Sequence, residues 1–424
     1  MAIIGRKIPP VAASVSWQNI VAGLRGSLNG QKEIERFSRE LKEYFGVRHC
    51  YLVSSGKAAL VIILKGLKCL ARGRREVLIP AFTCFSVPAA IHRAGLDIKL
   101  CDVDPDSLGF NLSELSEIIS GRVNVREGGL REQLAKPSEK ILCVVPTHLY
   151  GVPADISVVR NLVQDNDIYI VEDAAQAMGA ELEGEKLGTG GDVCFFSLGR
   201  GKVLSAVEGG VILTDNDDIA RELEIQLESM AGYNFIGVLK LILMAMFLDI
   251  FQHPCLFWLP KLLPFLKIGE TIYDPNFKIR RMSAFQAGMT AGWQKTLVQL
   301  KEKRVEKSQQ WFSICGSIRI FSTYWRENGP PLHLIRFPVR IKDATVRKRI
   351  LRKSEEKGMG IMPSYPSAIC DIPEIKNNFS KLSFNASRKV SSQLVTLPIH
   401  SFVRRVDIIR VAKLFKDVFK EQNF

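Results

Sequence analysis

From about residue 50 to 215, short unbroken apolar runs alternate with stretches whose apolar residues recur at helical spacing. Strands buried on both faces read as continuous apolar runs, so this alternation predicts βα units feeding a largely parallel sheet. The clearest predicted strands are Val77–Pro80, Ile98–Val103, Ile141–Val145 and Ile168–Val171, with helices expected over Val87–Ala94 and Ala154–Val163. Ligands in such sheets gather beyond the carboxyl ends of the strands. The residues to inspect are therefore the polar ones that follow each run.

Beyond the sheet region the pattern changes. From Ser283 to about Trp311, Gln, Lys and Glu interleave with Leu, Val and Trp, which predicts one long connecting helix. The strand-like Leu334–Ile341 and a basic amphipathic helix over Val406–Glu421 then predict a further α+β module. The expected fold class is α/β, with a large domain over residues 1–300 built on a mostly parallel central sheet flanked by helices, and a smaller C-terminal α+β domain over residues 301–424.

One stretch, Phe235–Leu266, is apolar throughout, with Lys240, Asp249 and Lys261 as its charges and Pro254 inside it. A bilayer-spanning helix needs about 20 apolar residues, and a mid-span Lys or Asp costs roughly 2.5–3.5 kcal/mol. Spanning is the least favoured reading. A membrane-surface or re-entrant segment and a buried packing or oligomer insert stay open.

Composition narrows the partners. At 424 residues and 46% hydrophobic content the chain can bury a large core. Fifty-eight Lys and Arg against 44 Asp and Glu give a formal charge of +14, which favours anionic partners. No CxxC pairs or aromatic RNP string accompany the charge, so nucleic acid is not expected. Nine scattered cysteines suit a reducing compartment and give no zinc framework, and no metal is expected. The first ten residues lack the apolar centre of a secretory signal. The expectation is a cytoplasmic protein, peripheral at the inner membrane face if residues 235–266 attach it.

Three segments carry candidate chemistry. Asp173 ends the run Ile168–Asp173, where a carboxylate can keep a pyridine nitrogen protonated or cap a helix starting at Ala174. Lys202 follows Phe195–Phe196–Ser197–Leu198 in a glycine-flanked turn, where a desolvated amine becomes a nucleophile able to form an imine. Ser54–Ser55–Gly56–Lys57 opens a helix after an apolar stretch and suits a phosphate, with Ser197 able to add a hydroxyl. His148 follows a predicted strand and would touch substrate or make a structural hydrogen bond; His400 suits a turn or packing role. Cys84 is better placed as a small residue beside a ligand ring than as a nucleophile.

Together these segments resemble the DegT/DnrJ/EryC1/StrS family of fold-type-I, pyridoxal phosphate-dependent sugar aminotransferases. The resemblance runs in order through Ser55–Leu60, Pro80–Thr83, Cys101–Asp104, His148–Asp155, Glu172–Ala180, Gly188–Asp192, Phe196–Lys202, Glu208–Gly210, Arg281–Ser283 with Gln286–Ala287, and Leu397–His400. It implies that Lys202 bonds the cofactor and moves the proton, that Asp173 meets the pyridine nitrogen, and that Gln176 lies near the phenolic oxygen. Ser55, Gly56, Lys57 and Ser197 would hold the phosphate, Cys84 and Phe85 would lie beside the ring, and His148 and Tyr150 would face the substrate. Lys57 stands where the family usually has Thr, Cys84 where many members place an aromatic, and Val203 where Asn is frequent. The implied protein is a homodimer that moves an amino group, commonly from glutamate, to a nucleotide-linked keto-sugar. A related sugar dehydratase, an aminotransferase acting on another carbonyl, and an inactive membrane-associated homologue are the alternatives.

Overall fold

The computed structural model describes residues 5–121, 137–261, 271–317, 321–323 and 332–420. Two helices, α1 (Trp17–Asn29) and α2 (Gln31–Phe45), precede β1 (His49–Val53), and α3 (Gly56–Leu70), β2 (Glu76–Pro80), α4 (Ser86–Arg93), β3 (Asp97–Cys101) and α5 (Leu112–Ser120) follow. The next segment holds β4 (Ile141–Val144), α6 (Ile156–Val163), β5 (Tyr169–Asp173), the two-residue strands β6 (Glu181–Leu182) and β7 (Glu185–Lys186), β8 (Val193–Ser197) and β9 (Gly210–Thr214).

A seven-stranded sheet has the order β1-β9-β8-β5-β4-β2-β3, and β9 runs antiparallel to both its neighbours while the other pairs are parallel. The apolar runs dictate this burial. All four residues of β4 and all five of β9 are buried, and α3 is buried along most of its length because its outer face is covered by α4 and α7 (Asp217–Glu228). The carboxyl ends of β1, β5 and β8 reach one edge and deliver Ser54–Gly56, Asp173 and Ser197 to it. This is the edge that the sequence pattern singled out.

After α7 the apolar stretch forms α8 (Phe235–Phe251) and the short α9 (Trp258–Lys261), while residues 262–266 lie outside the described residues. Among the described residues no helix is long and apolar enough to cross a membrane. The single helix expected from Ser283 to Trp311 is two, α10 (Ala284–Met289) and α11 (Trp293–Ser317). Gly292 between them takes φ +69°, a left-handed conformation that ends helical propagation. Because α11 runs to Ser317, the expected boundary at residue 300 falls inside a helix.

The remaining elements are β10 (Phe321–Thr323), β11 (Phe337–Ile341), α12 (Ala344–Lys357), β12 (Met362–Pro363), α13 (Asn385–Gln393), β13 (Leu394–Leu397) and α14 (Arg405–Lys420). They form an antiparallel sheet of order β10-β11-β13-β12. Its apolar face packs with Trp311 of α11 and with Ile408, Val411 and Phe415 of α14 in a separate core cluster. The strand expected from Leu334 begins only at Phe337, because Ile335 N–H donates instead to Tyr150 O at 2.9 Å.

Close helix packing holds α1 on α10. A Cβ added at Gly288 would meet Ala22 O at 2.7 Å and Gly26 Cα at 2.9 Å, so the two backbones touch only because both positions are glycine. Gly288→Val should destabilise the protein by about 2 kcal/mol or more, the usual scale of overpacking, and lower the thermal midpoint by several degrees. A calorimetric melt beside that of Gly292→Ala, at a position with open space around it, separates crowding from backbone strain.

Candidate active site

Successive residues of a strand point to opposite faces, so Glu172 and Asp173 at the end of β5 serve different neighbourhoods. Glu172 is 1% exposed and accepts from His148 Nε2 at 2.6 Å, Gly188 N at 2.5 Å, and Gly190 N and Gly191 N at 2.9 Å. Burial pushes its carboxyl up, but the His148 bond and the loop N–H groups outweigh burial and hold it below the ordinary value. His148 Nδ1 accepts from Ala154 N at 2.9 Å, which leaves the proton on Nε2 for Glu172. His148 is 0% exposed with both ring nitrogens bonded, so its expected substrate contact is corrected to the structural hydrogen bond.

Asp173 faces the site. Its Oδ1 accepts from Ala175 N at 3.1 Å, and no helix follows it, so the helix-cap reading does not hold. Burial raises its carboxyl, while the charge of Lys202, the Ala175 N–H and Thr147 act in the opposite sense. Lys202 is half-buried and close enough to Asp173 for its charge to register there. Its backbone is fixed by the Lys202 N to Gly199 O bond at 3.2 Å and by Gly201 at φ +77°, where an added Cβ would strike Val11 at 2.3 Å.

The phosphate-type cup forms where three strand ends converge. Ser55 caps α3 by accepting from Ala58 N at 3.1 Å, and a Cβ at Gly56 would come within 2.9 Å of Ser197 Cβ. A Cβ at Gly210, where β9 starts, would meet Ser55 O at 2.3 Å. The helix N-terminus therefore presents free N–H groups beside the Ser197 hydroxyl. Lys57 lies in that first turn, but its ammonium sits 4.3 Å from the centre of the Phe277 ring, so its backbone rather than its charge faces the cup.

Gln176 joins two further groups: its Oε1 accepts from Tyr150 N at 3.2 Å and its Nε2 donates to Tyr365 Oη at 3.1 Å. Tyr365 lies near-parallel to Tyr150 and to Phe85, with ring centres 6.3 and 6.4 Å apart, and the Tyr150 hydroxyl bonds Ser364. Cys84 is half-buried and its sulfur accepts from Ser86 Oγ at 2.9 Å. The structure thus gathers Asp173, Gln176 and Lys202 with Tyr150, Cys84 and Phe85. Sequence reasoning missed Tyr365, Thr147 and Glu172. Glu172 could have been found from its place beside Asp173 at a strand end; Tyr365, between Pro363 and Pro366, carries no periodic signal.

The sequence pattern of the DegT/DnrJ/EryC1/StrS aminotransferase family matches residues 18–236 and 270–416. The chain belongs to this family. Its members are pyridoxal phosphate enzymes, most of them aminotransferases and some dehydratases. Among similar curated proteins, L-glutamine:2-deoxy-scyllo-inosose aminotransferase of Streptomyces kanamyceticus is 31% identical over 202 residues, 47% of this chain and 43% of that protein. GDP-perosamine synthase of Vibrio cholerae is 29% identical over 188 residues, 44% of this chain and 46% of that protein. The chain thus spans about half the length of the curated relatives it matches. Helicobacter pylori PseC, an aminotransferase of pseudaminic acid biosynthesis, superposes with a TM-score of 0.75 at 15% identity, covering 98% of this chain and 100% of PseC. That likeness shows the fold, which is the fold-type-I arrangement of pyridoxal phosphate enzymes.

Because burial raises the Asp173 carboxyl above its unfolded value of about 3.9, its ionised form costs the empty protein stability at neutral pH. The cost is absent below the unfolded value and grows as pH rises through the folded one. Asp173→Asn should therefore raise the melting temperature of cofactor-free protein at pH 7, with the gain shrinking toward pH 4. Paired thermal melts at the two pH values check this.

Proposed function

We propose that this protein transfers an amino group from an amino acid, glutamate first among candidates, to a keto group of a nucleotide-linked sugar, using pyridoxal phosphate. The supporting observation is the convergence of Asp173 and Lys202 beside the Gly56–Ser197 cup. The residues fit the cofactor: an oriented buried carboxylate, an amine within its field, and a glycine cradle that any Cβ would fill. Bound there, pyridoxal phosphate supplies the electron sink for the bond broken at the donor Cα.

In this reading the N–H groups at the start of α3 and the Ser197 hydroxyl hold the phosphate. Asp173 holds a proton on the pyridine nitrogen, and Gln176 is positioned by Tyr150 and Tyr365 to reach the phenolic oxygen. Lys202 moves a proton between the donor Cα and the cofactor C4′. A lysine in this place favours amino transfer over dehydration, where the resemblance puts a histidine. A homodimer, a large domain over residues 1–300, a smaller one over residues 301–424 and a cytoplasmic setting belong to the same proposal.

Lys202→Ala should abolish the absorbance of lysine-bound cofactor and lower turnover by about a thousandfold, the scale of a lost general base. Incubation of the wild type with glutamate should convert the cofactor to its pyridoxamine form. Retention of the lysine-bound spectrum in the variant, or no conversion of the wild type, overturns the reading.

The partner of α8 is a further part of the proposal. The family pattern skips residues 237–269, which hold most of α8; that helix buries Leu241 and Ala245 while exposing Phe235 (81%), Ile236 (60%), Leu243 (57%) and Ile250 (47%). Beside this face, Lys240, Arg200, Lys278 and Arg280 line a cleft of about 590 Å³ whose one acid, Glu208, already accepts from the Tyr233 hydroxyl at 2.5 Å. A two-fold contact through this face would bring those cations against their copies, whereas an anionic bilayer complements them. We therefore assign the face to the surface of a membrane carrying acidic lipid. The protein should float with phosphatidylglycerol-containing vesicles, and Leu239→Ser with Leu243→Ser should weaken binding by about tenfold or more. Failure of the wild type to float, or a change of oligomeric state in the variant by light scattering, removes the membrane from the reading.

A further inference from the structure

The cleft beside α8 has two facing walls. One is the front of the lysine loop, Gly199 and Arg200; the other is the first half of α8 with Lys240, and Lys278 and Arg280 close it from the segment before α10. Arg200, Lys240 and Lys278 are exposed and form no ion pair with a carboxylate among the described residues. Arg280 lies 5.0 Å from the centre of the Tyr233 ring instead of against an acid. The start of α8 points into the same space: Asn234 caps it by accepting from Gly237 N at 2.9 Å, which leaves the N–H groups of Phe235 and Ile236 without a partner inside the helix. A helix N-terminus among unpaired cations is a place for an anion.

The rim of the cleft identifies the kind of anion. Ile236 and Met244 line it and also belong to the exposed face of α8, at 60% and 36% exposure. A free phosphate would meet the cations and leave these side chains in water. A phosphate carried on an acyl chain meets both, because the chain covers the apolar rim while the headgroup reaches the cations.

The same helix brackets the lysine loop. Its start faces Gly199 and Arg200 across the cleft. At its end Gln252, 8% exposed, donates from Nε2 to Val15 O at 2.9 Å, in the strap whose Ser14 Oγ accepts from Ser205 N and whose Val11 covers Gly201. The loop's own backbone bonds are Ala206 N to Leu198 O at 2.9 Å and Lys202 N to Gly199 O at 3.2 Å, so its neighbours supply the rest of its support. On the strap side that support is in place. On the cleft side Arg200 has none, and an anion drawn against it would supply the missing contact just before Lys202.

We propose that this cleft binds the phosphate of an acidic lipid headgroup, and that its occupation holds the lysine loop in its working position, so that amino transfer runs faster on the membrane than in free solution. The inference rests on the amino-transfer reading and on the membrane assignment of α8, to which it adds the headgroup site and the coupling. Residues 237–269 fall outside the family pattern, so the device belongs to this chain and its insert. Arg200 is a positioning residue, acting on the reaction through the loop that carries Lys202.

The test follows conversion of the cofactor spectrum by glutamate in cofactor-loaded full-length protein, and reads, for each variant, the rate with vesicles over the rate without. Phosphatidylglycerol vesicles should raise the wild-type rate about tenfold, within the usual range of coupling between two sites. Phosphatidylcholine vesicles should leave it unchanged. Arg200→Gln should still float with the anionic vesicles through α8 but lose the stimulation, and Arg200→Lys should recover part of it. Lys413→Gln, the same loss of charge at an exposed position of α14, should be stimulated as the wild type is. Inorganic phosphate and inorganic diphosphate separate a headgroup from a free anion, and stimulation by either overturns the lipid assignment. A wild type that floats without stimulation overturns the proposal and leaves the membrane assignment standing, and full stimulation of Arg200→Gln also overturns it. Failure to float removes both. A wild type that carries cofactor but is not converted by glutamate under any of these conditions sinks the amino-transfer reading, and the proposal with it.

Discussion

Glu172 is a carboxylate in a dry place, and it stays charged because four N–H groups from two separate segments converge on it. Deleting that charge would orphan the His148 imidazole and three backbone donors together, each costing about 1–3 kcal/mol when left unsatisfied. The bonds therefore tie the end of β5 to the loop over Gly188–Gly191 and, through His148 and Ala154, to the segment after β4. With the strand end held on one face, the next side chain on the other face has little freedom. Asp173 inherits its position from Glu172.

The segment before α1 acts in a similar way on the Lys202 side. Val11 covers Gly201, Ser14 Oγ accepts from Ser205 N at 2.9 Å, and Val15 O accepts from the Gln252 side chain at the end of α8 at 2.9 Å. Further along, Ile8 N donates to Gly358 O at 2.9 Å and Pro9 O receives His400. One extended strap thus contacts the lysine loop, the apolar helix and the sheet of β10 to β13. The lysine loop and the module of that sheet are therefore held by one continuous stretch of chain.

Much of this was legible in the sequence because it follows from local pattern. Apolar runs located β2, β4 and β5, the end of β5 gave Asp173, and the run that forms β8 led to Lys202. Strand ends drifted by one to three residues, and the break at Gly292 was missed because one glycine in a helical pattern is often tolerated. What stayed hidden depends on contacts distant in sequence: Lys57 reads as a phosphate ligand until Phe277 is found under its ammonium, and His148 reads as a substrate ligand until Glu172 is found against it. Arg336, buried with its Nε and Nη2 unpartnered, was illegible for the same reason, since the informative fact is the missing partner.

The charges of the site divide into two kinds, and the division bears on function. Glu172 is fully compensated within the chain, and its neighbourhood behaves as scaffold. Asp173, whose carboxyl burial raises, and Arg336, whose guanidinium burial lowers, are not fully compensated, and Tyr150, whose phenol acts on Arg336, holds a left-handed backbone at φ 60°. Strain and unpaired charge at neighbouring positions are costs that a protein retains where a ligand relieves them. The sign at the acid matches the cofactor proposed, since a protonated pyridine nitrogen satisfies it.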